Sequence, residues 1–303
     1  MINSLEDIIK ELKVNKKVKL AVAAAQDEEV LHAVLDAMNM NIIDPILIGN
    51  LEKIKLIAKD LGLNLEKTEM IEAESYEECA EIAVKLVSSK KADFLMKGLL
   101  DTSILLKQVL NKEYGLRTDS LLSHVMIYEV PNYHKLLILT DGGMNISPNY
   151  EQKEKIVLNA IKACESLNID NIKIAALAAK EKVNEKMQAT IDAKKLQDAS
   201  EAGIFGSNVT LEGPLAFDLA VSKEASKVKG FKSKISGDVD VILVPTIEVG
   251  NGIGKSLTYF SNAKSAGVIM GAKSPIVLVS RADSHESKLY SIAYGALIAM
   301  KAR

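Results

Sequence analysis

Apolar positions along this chain alternate between two spacings almost from end to end. Val18-Lys19-Leu20-Ala21-Val22-Ala23-Ala24 is an apolar run of strand length, and from Asp27 to Met40 apolar residues recur at helical spacing through Val30, Val34, Leu35 and Met38. The unit repeats: Pro45 to Ile48 reads as a strand, Leu51 to Leu61 as a helix, and Ser75 to Ser88 as a helix whose Ser75 and Glu78 have capping-box spacing. Asp93 to Met96 is a buried strand before Lys97-Gly98. Two strand-like runs, Leu121 to Val130 and Leu136 to Thr140, flank Pro131-Asn132-Tyr133 and predict an antiparallel pair, which interrupts the alternation. After Asp141-Gly142-Gly143 it restarts with helix 149–166, strand Ile172 to Leu177, helix 184–198, a short strand near Val209, helix 214–226, strand Val239 to Val244 and, later, strand Pro275 to Val279. The pattern predicts an α/β fold with mainly parallel sheets and helices on both faces. Two such domains fit 303 residues, and the turn at 141–148, rich in Gly, Asn and Pro, is the candidate boundary. In such sheets ligands bind beyond the carboxyl ends of the strands, where the polar clusters of this chain fall.

Composition narrows the function classes. Apolar residues make up 48% of the chain, Trp is absent and the net charge is −2, with Lys and Glu interspersed, so nucleic acid and anionic membrane are not expected partners. Met1 to Asp7 lacks the basic segment and apolar core of a signal peptide, and no apolar run approaches the ~20 residues that span a bilayer. The expected address is cytoplasmic. Cys79 and Cys164 stand alone in helical segments without a partner motif, so both read as small core residues rather than a disulfide or metal cage.

Of the 38 basic residues only Arg117, Arg281 and Arg303 are arginines. A guanidinium fork is needed where a phosphate or carboxylate is gripped at two points, and Arg281 directly follows the strand ending at Val279-Ser280, which makes it a candidate for an anion site. A structural salt bridge is the competing reading. Arg117 is open between a substrate contact and a structural pair. The segment Pro245-Thr246-Ile247-Glu248-Val249-Gly250-Asn251-Gly252-Ile253-Gly254-Lys255-Ser256 is not a nucleotide P-loop, because Val249 stands where the first glycine is required. Its glycines would still let backbone amides approach an anion at the start of the next helix. In Glu212-Gly213-Pro214-Leu215-Ala216-Phe217-Asp218, Pro214 suits the first turn of a helix. Asp283 and Glu286 have the spacing of a helix N-cap pair.

The order and spacing of Glu212-Gly213-Pro214-Leu215, Pro245-Thr246-Ile247-Glu248-Val249-Gly250-Asn251, then Pro275 and Ser280-Arg281 resemble the phosphate acetyl/butyryl transferase family. Within it, Asp93 to Gly98, Thr102, Gly115-Leu116-Arg117-Thr118 and Leu121-Leu122-Ser123-His124-Val125 look more like the butyryl branch than the acetyl branch. The resemblance implies reversible acyl transfer between a coenzyme A thioester and inorganic phosphate, with no permanently bound cofactor and no metal. It also implies two α/β domains with an interdomain cleft, similar to isocitrate and isopropylmalate dehydrogenases, and at least a dimer. The first domain would comprise residues 1–141 plus about 266–303 and the second about 142–265.

Carried onto this sequence, the resemblance makes Arg281 the stabiliser of phosphate and oxyanion charge and Ser280 a hydrogen-bond donor to the reacting carbonyl or sulfur. Ser287 stands where acetyltransferases of the family have an aspartate that acts on the thiol, so the base must lie elsewhere or be dispensable. Glu286 ranks first, followed by Asp283, with His285 a further possibility through the ordinary titration range of imidazole. Lys97, Thr102, Lys107, Arg117, Gly250, Asn251 and Lys255 are the candidate substrate contacts. A metal- and NAD-dependent dehydrogenase of the same fold would need a carboxylate cluster at ligand spacing and a glycine motif after the first strand, and the sequence offers neither. A non-catalytic module binding acyl-CoA or acyl phosphate remains open, because Ser287 can also mark lost chemistry. An Arg281→Lys variant keeps the charge and loses the fork, so its acyl-transfer rate is expected to fall steeply; removing such a donor outright costs ~100- to 1,000-fold. A steady-state rate equal to that of the parent would remove Arg281 from the mechanism.

Overall fold

The computed structural model describes residues 2–15, 17–280 and 283–302. They form two compact units: Leu5–Ser120 with the segment from Ala266 onward, and the residues before Leu5 with Leu121–Ser265.

In the first unit, α1 (Leu5–Lys13) precedes β1 (Val18–Ala23), α2 (Glu28–Asn39), β2 (Ile43–Gly49), α3 (Leu51–Asp60), β3 (Glu69–Glu72), α4 (Tyr76–Ser88), β4 (Phe94–Lys97) and α5 (Thr102–Val109). β1 lies between β2 and β4, with β3 beyond β2, all parallel. Every residue of β4 and all but Lys19 of β1 are buried, as expected of strands covered on both faces. Helix starts follow local chemistry: Asp27, Asn50 and Ser75 each accept a hydrogen bond from the backbone amide three residues on. Glu78 reaches back to the amide of Glu74 rather than Ser75, so the predicted capping box is displaced by one residue.

The second unit contains β5 (Ser123–Glu129), β6 (Leu137–Thr140), α6 (Tyr150–Ser166), β7 (Ile172–Leu177), α7 (Gln188–Glu201), β8 (Val209–Leu215), α8 (Phe217–Val221), α9 (Lys223–Val228), β9 (Val241–Leu243) and α10 (Ile247–Phe260). The strands run β5-β6-β9-β7-β8, antiparallel at β5/β6 and parallel thereafter. The predicted antiparallel pair belongs to this unit, because β6 pairs with β9 through Ile138↔Val241 and Thr140↔Leu243. The units therefore part after Ser120 rather than at the turn 141–148.

The helix predicted over 214–226 is not one element. Pro214 lies inside β8, at the edge of this unit's sheet, where no neighbouring strand requires the amide that proline lacks. Ser222 then adopts extended backbone between α8 and α9 and caps the latter by accepting from the Ala225 amide. The chain finally returns to the first unit with β10 (Lys264–Met270), β11 (Ile276–Val277) and α11 (His285–Lys301). β11 pairs parallel to β4 and antiparallel to β10. α11 is buried from Lys288 to Ala299, and a Cβ on Gly295 would stand 2.8 Å from Val277 Cγ2, so glycine lets this helix lie close on the strand.

The amino-terminal ends of the second unit's strands carry an ionic cluster. Asp238 accepts from His134 at 2.8 Å and from the ammonium of Lys173, while Lys135 bridges to Asp240 at 2.6 Å. Burial works against ionisation of Asp238, but hydrogen bonds from Lys173, His134 and Lys135 overcome it and hold the carboxyl well below its ordinary range. A depressed folded-state pKa contributes stability above the unfolded value that disappears as pH falls through the folded one. Asp238→Asn is accordingly expected to lower the urea midpoint at pH 7, and the gap from the parent should close as pH is taken down through the acid range. A gap independent of pH would show that the charge of Asp238 is not what holds the cluster.

Candidate active site

In the first unit, β4 and β11 are parallel neighbours in register at Leu95↔Ile276 and Met96↔Val277. Their carboxyl ends therefore deliver Lys97-Gly98 and Val279-Ser280 side by side, the position at which open α/β sheets receive ligands. The Lys97 side chain is buried, and its ammonium donates to the carbonyls of Gly98 at 3.1 Å and Leu100 at 3.0 Å. A Cβ on Gly98 would stand 2.1 Å from the Ala24 carbonyl oxygen, so glycine is required for the chain after β4 to lie against the chain after β1. Thr102 opens α5 and is partly buried; Lys107 lies further along the same helix, exposed. Arg117 is also exposed, in a segment tied to the β10–β11 connection: Lys273 N donates to Leu116 O at 2.9 Å and Thr118 Oγ1 to Gly271 O at 2.5 Å.

Arg281, the first anion candidate, and Ala282 lie outside the described residues. The turn on either side of them is defined. Ser280 N donates to Asp283 Oδ2 at 2.8 Å, and Asp283 N returns a bond to Ser280 O at 3.1 Å. Asp283 thus closes the turn instead of capping α11. The cap is Ser284, whose hydroxyl accepts from Ser287 N at 3.2 Å, one residue later than the Asp283/Glu286 pairing predicts. Glu286 is exposed in the first helical turn. Ser287 is partly buried, with its hydroxyl 3.2 Å from that of Ser284.

Lys288, a residue without a role in the sequence reading, supports this turn from beneath. It is 2% exposed, and its ammonium donates to Asp283 O at 2.5 Å, with Glu29 at 3.9 Å. Its sequence signal is faint: a lysine at i+4 from the cap Ser284 reads as part of a solvated helix face. His285 is occupied at both ring nitrogens, by Asp36 at 2.9 Å and His32 at 3.1 Å, which weakens the case for it as a base.

In the second unit the glycine-rich segment is helical. α10 starts at Ile247, so Gly250, Gly252 and Gly254 lie inside the helix rather than before it, and the amide of Gly250 is taken up by Thr246 O at 3.2 Å. Its glycines serve packing: a Cβ on Gly250 would stand 2.6 Å from Gly142 Cα, and one on Gly254 2.5 Å from the Tyr128 hydroxyl. Asn251 and Lys255 are exposed on this helix and retain their side chains for contact with a ligand. The facing turn after β6 is stapled by buried Asp141, whose carboxylate accepts from the amides of Gly143, Met144 and Asn145 at 2.9, 2.9 and 3.2 Å. The Glu212-Gly213-Pro214-Leu215 motif lines a cavity of about 630 Å³ together with Phe231, Lys232 and Lys234. Cys79 and Cys164 lie buried in α4 and α6, outside these segments, and burial pushes their thiols up, away from thiolate chemistry.

The chain matches the family model of phosphate acetyl/butaryl transferases over residues 4–86 and 77–296. It is 43% identical to the phosphate butyryltransferase of Clostridium acetobutylicum over 99% of this chain and 99% of that protein. Among solved structures, a branched-chain phosphotransacylase from Enterococcus faecalis superposes with a TM-score of 0.82 at 34% identity, covering 93% of this chain and 99% of that one. A 4-hydroxythreonine-4-phosphate dehydrogenase from Burkholderia phymatum shares the fold alone, with a TM-score of 0.58 at 14% identity over 94% and 99% of the two chains.

The Lys288 contact gives a test of the turn geometry. Replacing a buried lysine by methionine conserves volume and removes one buried charge, so Lys288→Met is expected to keep the unfolding midpoint. The acyl-transfer rate should nonetheless fall by ~10- to 100-fold, the scale of a small misplacement of reacting groups. Parallel denaturation and single-turnover measurements check this, and an unchanged rate would show that Lys288 does not position the turn.

Proposed function

The chain belongs to the phosphate acetyl/butaryl transferase family, and from that premise we propose that butyryl is its preferred acyl group and that the turn at 280–284 carries the chemistry. The enzyme is an acyltransferase that moves an acyl group reversibly between coenzyme A and inorganic phosphate. The observation that carries the site assignment is the parallel register of β4 and β11, which sets the buried Lys97 beside the strand leading into Ser280.

In the direction of thioester synthesis, the thiolate of coenzyme A attacks the carbonyl carbon of the acyl phosphate. A carbon–sulfur bond forms, the carbonyl π electrons move to oxygen, and their return expels phosphate with the carbon–oxygen bonding pair. A thiol with a pKa of about 8.5 is mostly protonated at neutral pH, so a base must take its proton. Glu286 fills that role in this reading, being exposed one residue before Ser287. Arg281 balances the charge on phosphate and oxyanion, and Ser280 donates to the reacting carbonyl or sulfur. The bonds of Asp283 to Ser280 and of Lys288 to Asp283 hold the backbone that carries Ser280. Asp283 is thereby a positioning residue in place of a base.

Lys97, Thr102, Lys107, Arg117, Asn251 and Lys255 remain the proposed substrate contacts, whereas the role of Gly250 narrows to packing against Gly142. Coenzyme A and phosphate act as substrates, without a permanently bound cofactor. A cytoplasmic homo-oligomer, at least a dimer, completes the reading.

One methylene in an apolar pocket is worth ~1–3 kcal/mol, enough to rank neighbouring acyl chains. Thiol release from acetyl-, propionyl-, butyryl- and longer acyl-CoA in the presence of phosphate is expected to give the highest kcat/KM with butyryl-CoA. A maximum at another chain length corrects the acyl preference alone. Absence of release with every thioester would overturn the transferase reading.

A further inference from the structure

Directly after the turn assigned to acyl transfer, the first unit brings two histidines and a carboxylate together. His32 and Asp36 stand at i and i+4 on α2, hence on one helix face, and His285 is the first residue of α11. His32 Nδ1 lies 3.1 Å from His285 Nδ1 and 3.6 Å from Asp36 Oδ2, while His285 Nε2 lies 2.9 Å from Asp36 Oδ2. One donor atom from each residue falls within 4.8 Å of those of the other two, and all three residues are partly buried. Two imidazoles meeting nitrogen to nitrogen require one proton between them, because two lone pairs repel and two N–H groups clash. A divalent ion can take the place of that proton.

We propose that His32, Asp36 and His285 form a binding site for a borderline divalent transition metal of the Zn²⁺ class, linking α2 to the first turn of α11. Metal–nitrogen and metal–oxygen bonds of ~2.0–2.2 Å around a tetrahedral ion put neighbouring donors about 3.3–3.5 Å apart. The 3.1 Å between the imidazole nitrogens and the 3.6 Å from His32 to Asp36 already bracket that spacing. The third edge closes when the Asp36 carboxylate exchanges its bond to His285 Nε2 for the ion, a rotation open to a side chain that is 32% exposed. Water fills the fourth position. Imidazole with carboxylate favours Zn²⁺ and its transition-metal neighbours over Mg²⁺ or Ca²⁺, which take all-oxygen shells.

The surrounding field admits a cation. Asp36 lies near the carboxyl end of α2, where the helix dipole favours positive charge, opposing the unfavourable amino end of α11. The nearby Lys288 ammonium is turned to Asp283 O and Glu29.

The test is calorimetric titration of Zn²⁺ into the full chain after treatment with EDTA and buffer exchange. One equivalent is expected to bind. His32→Gln and His285→Gln should each abolish that step, and Asp36→Asn should weaken it at least ~10-fold, the lower end of what even outer carboxylate partners contribute. His134→Gln, on the ionic cluster of the second unit, should leave it unchanged. Circular dichroism on each variant separates lost ligands from lost fold. Co²⁺ in place of Zn²⁺ should give visible d–d bands without the near-ultraviolet charge-transfer band of a thiolate, which excludes Cys79 and Cys164 as the source. Absence of stoichiometric Zn²⁺ binding to the parent would overturn the proposal, as would binding that survives either histidine substitution in a folded variant. Unchanged affinity in Asp36→Asn would overturn the three-donor set.

Discussion

The parallel pairing of β4 with β11 is the constraint on which the rest of the first unit depends. Two residue pairs, Leu95↔Ile276 and Met96↔Val277, join segments far apart in sequence. They place Lys97 next to the strand that leads into Ser280, and they seat α11 so that Gly295 can approach Val277 and Phe94. Because side-chain direction alternates along a strand, a slip of one residue in this short ladder would invert which side chains of β11 meet each face. Nearly continuous burial along α11 holds the register more firmly than the two-residue strand could by itself.

Beyond this pairing, the site is organised in layers. Ser280 is tied through its amide to the carboxylate of Asp283, and the Asp283 carbonyl is in turn held by the buried ammonium of Lys288. Glycine plays the matching part where bulk would interfere: Gly98 lets the chain after β4 lie against Ala24, and Gly250 lets α10 meet the turn at Gly142. Charge concentrated at the opposite, amino-terminal ends of β6, β7 and β9 serves stability instead. Asp238 and Asp240 there gather His134, Lys135 and Lys173 into one network.

Much of the fold was legible in sequence because apolar period is a local property: β1, α2, α4, β5 with β6, α6 and β7 lie where the spacing predicts them. Misreadings arose where a residue's local preference was overridden by what it packs against. Gly250, Gly252 and Gly254 signal a loop in isolation, yet they sit inside α10, two of them facing backbone or a tyrosine hydroxyl that leaves no space for a side chain. Pro214 signals a helix start, yet an edge strand tolerates it equally well. The order of the three motif segments was enough to point to the family. The supporting contact of Lys288 and the meeting of His32 with His285 were invisible, since each depends on how α2 and α11 pack and leaves no spacing to read.

The discontinuity of the first unit bears on the order in which the protein can be assembled during synthesis. β1 to β4 leave the ribosome early, but β11 and α11 follow only after the whole of the second unit has been made. Until then β4 lacks its β11 neighbour, and the apolar surface later covered by α11 stays open. The intervening second unit has no such debt, since between Leu121 and Ser265 it holds all five strands of its own sheet. Emergence order and completion order are thus reversed for the two units: the one translated first must wait in partly formed state, with an unpaired edge strand of the kind chaperones shield.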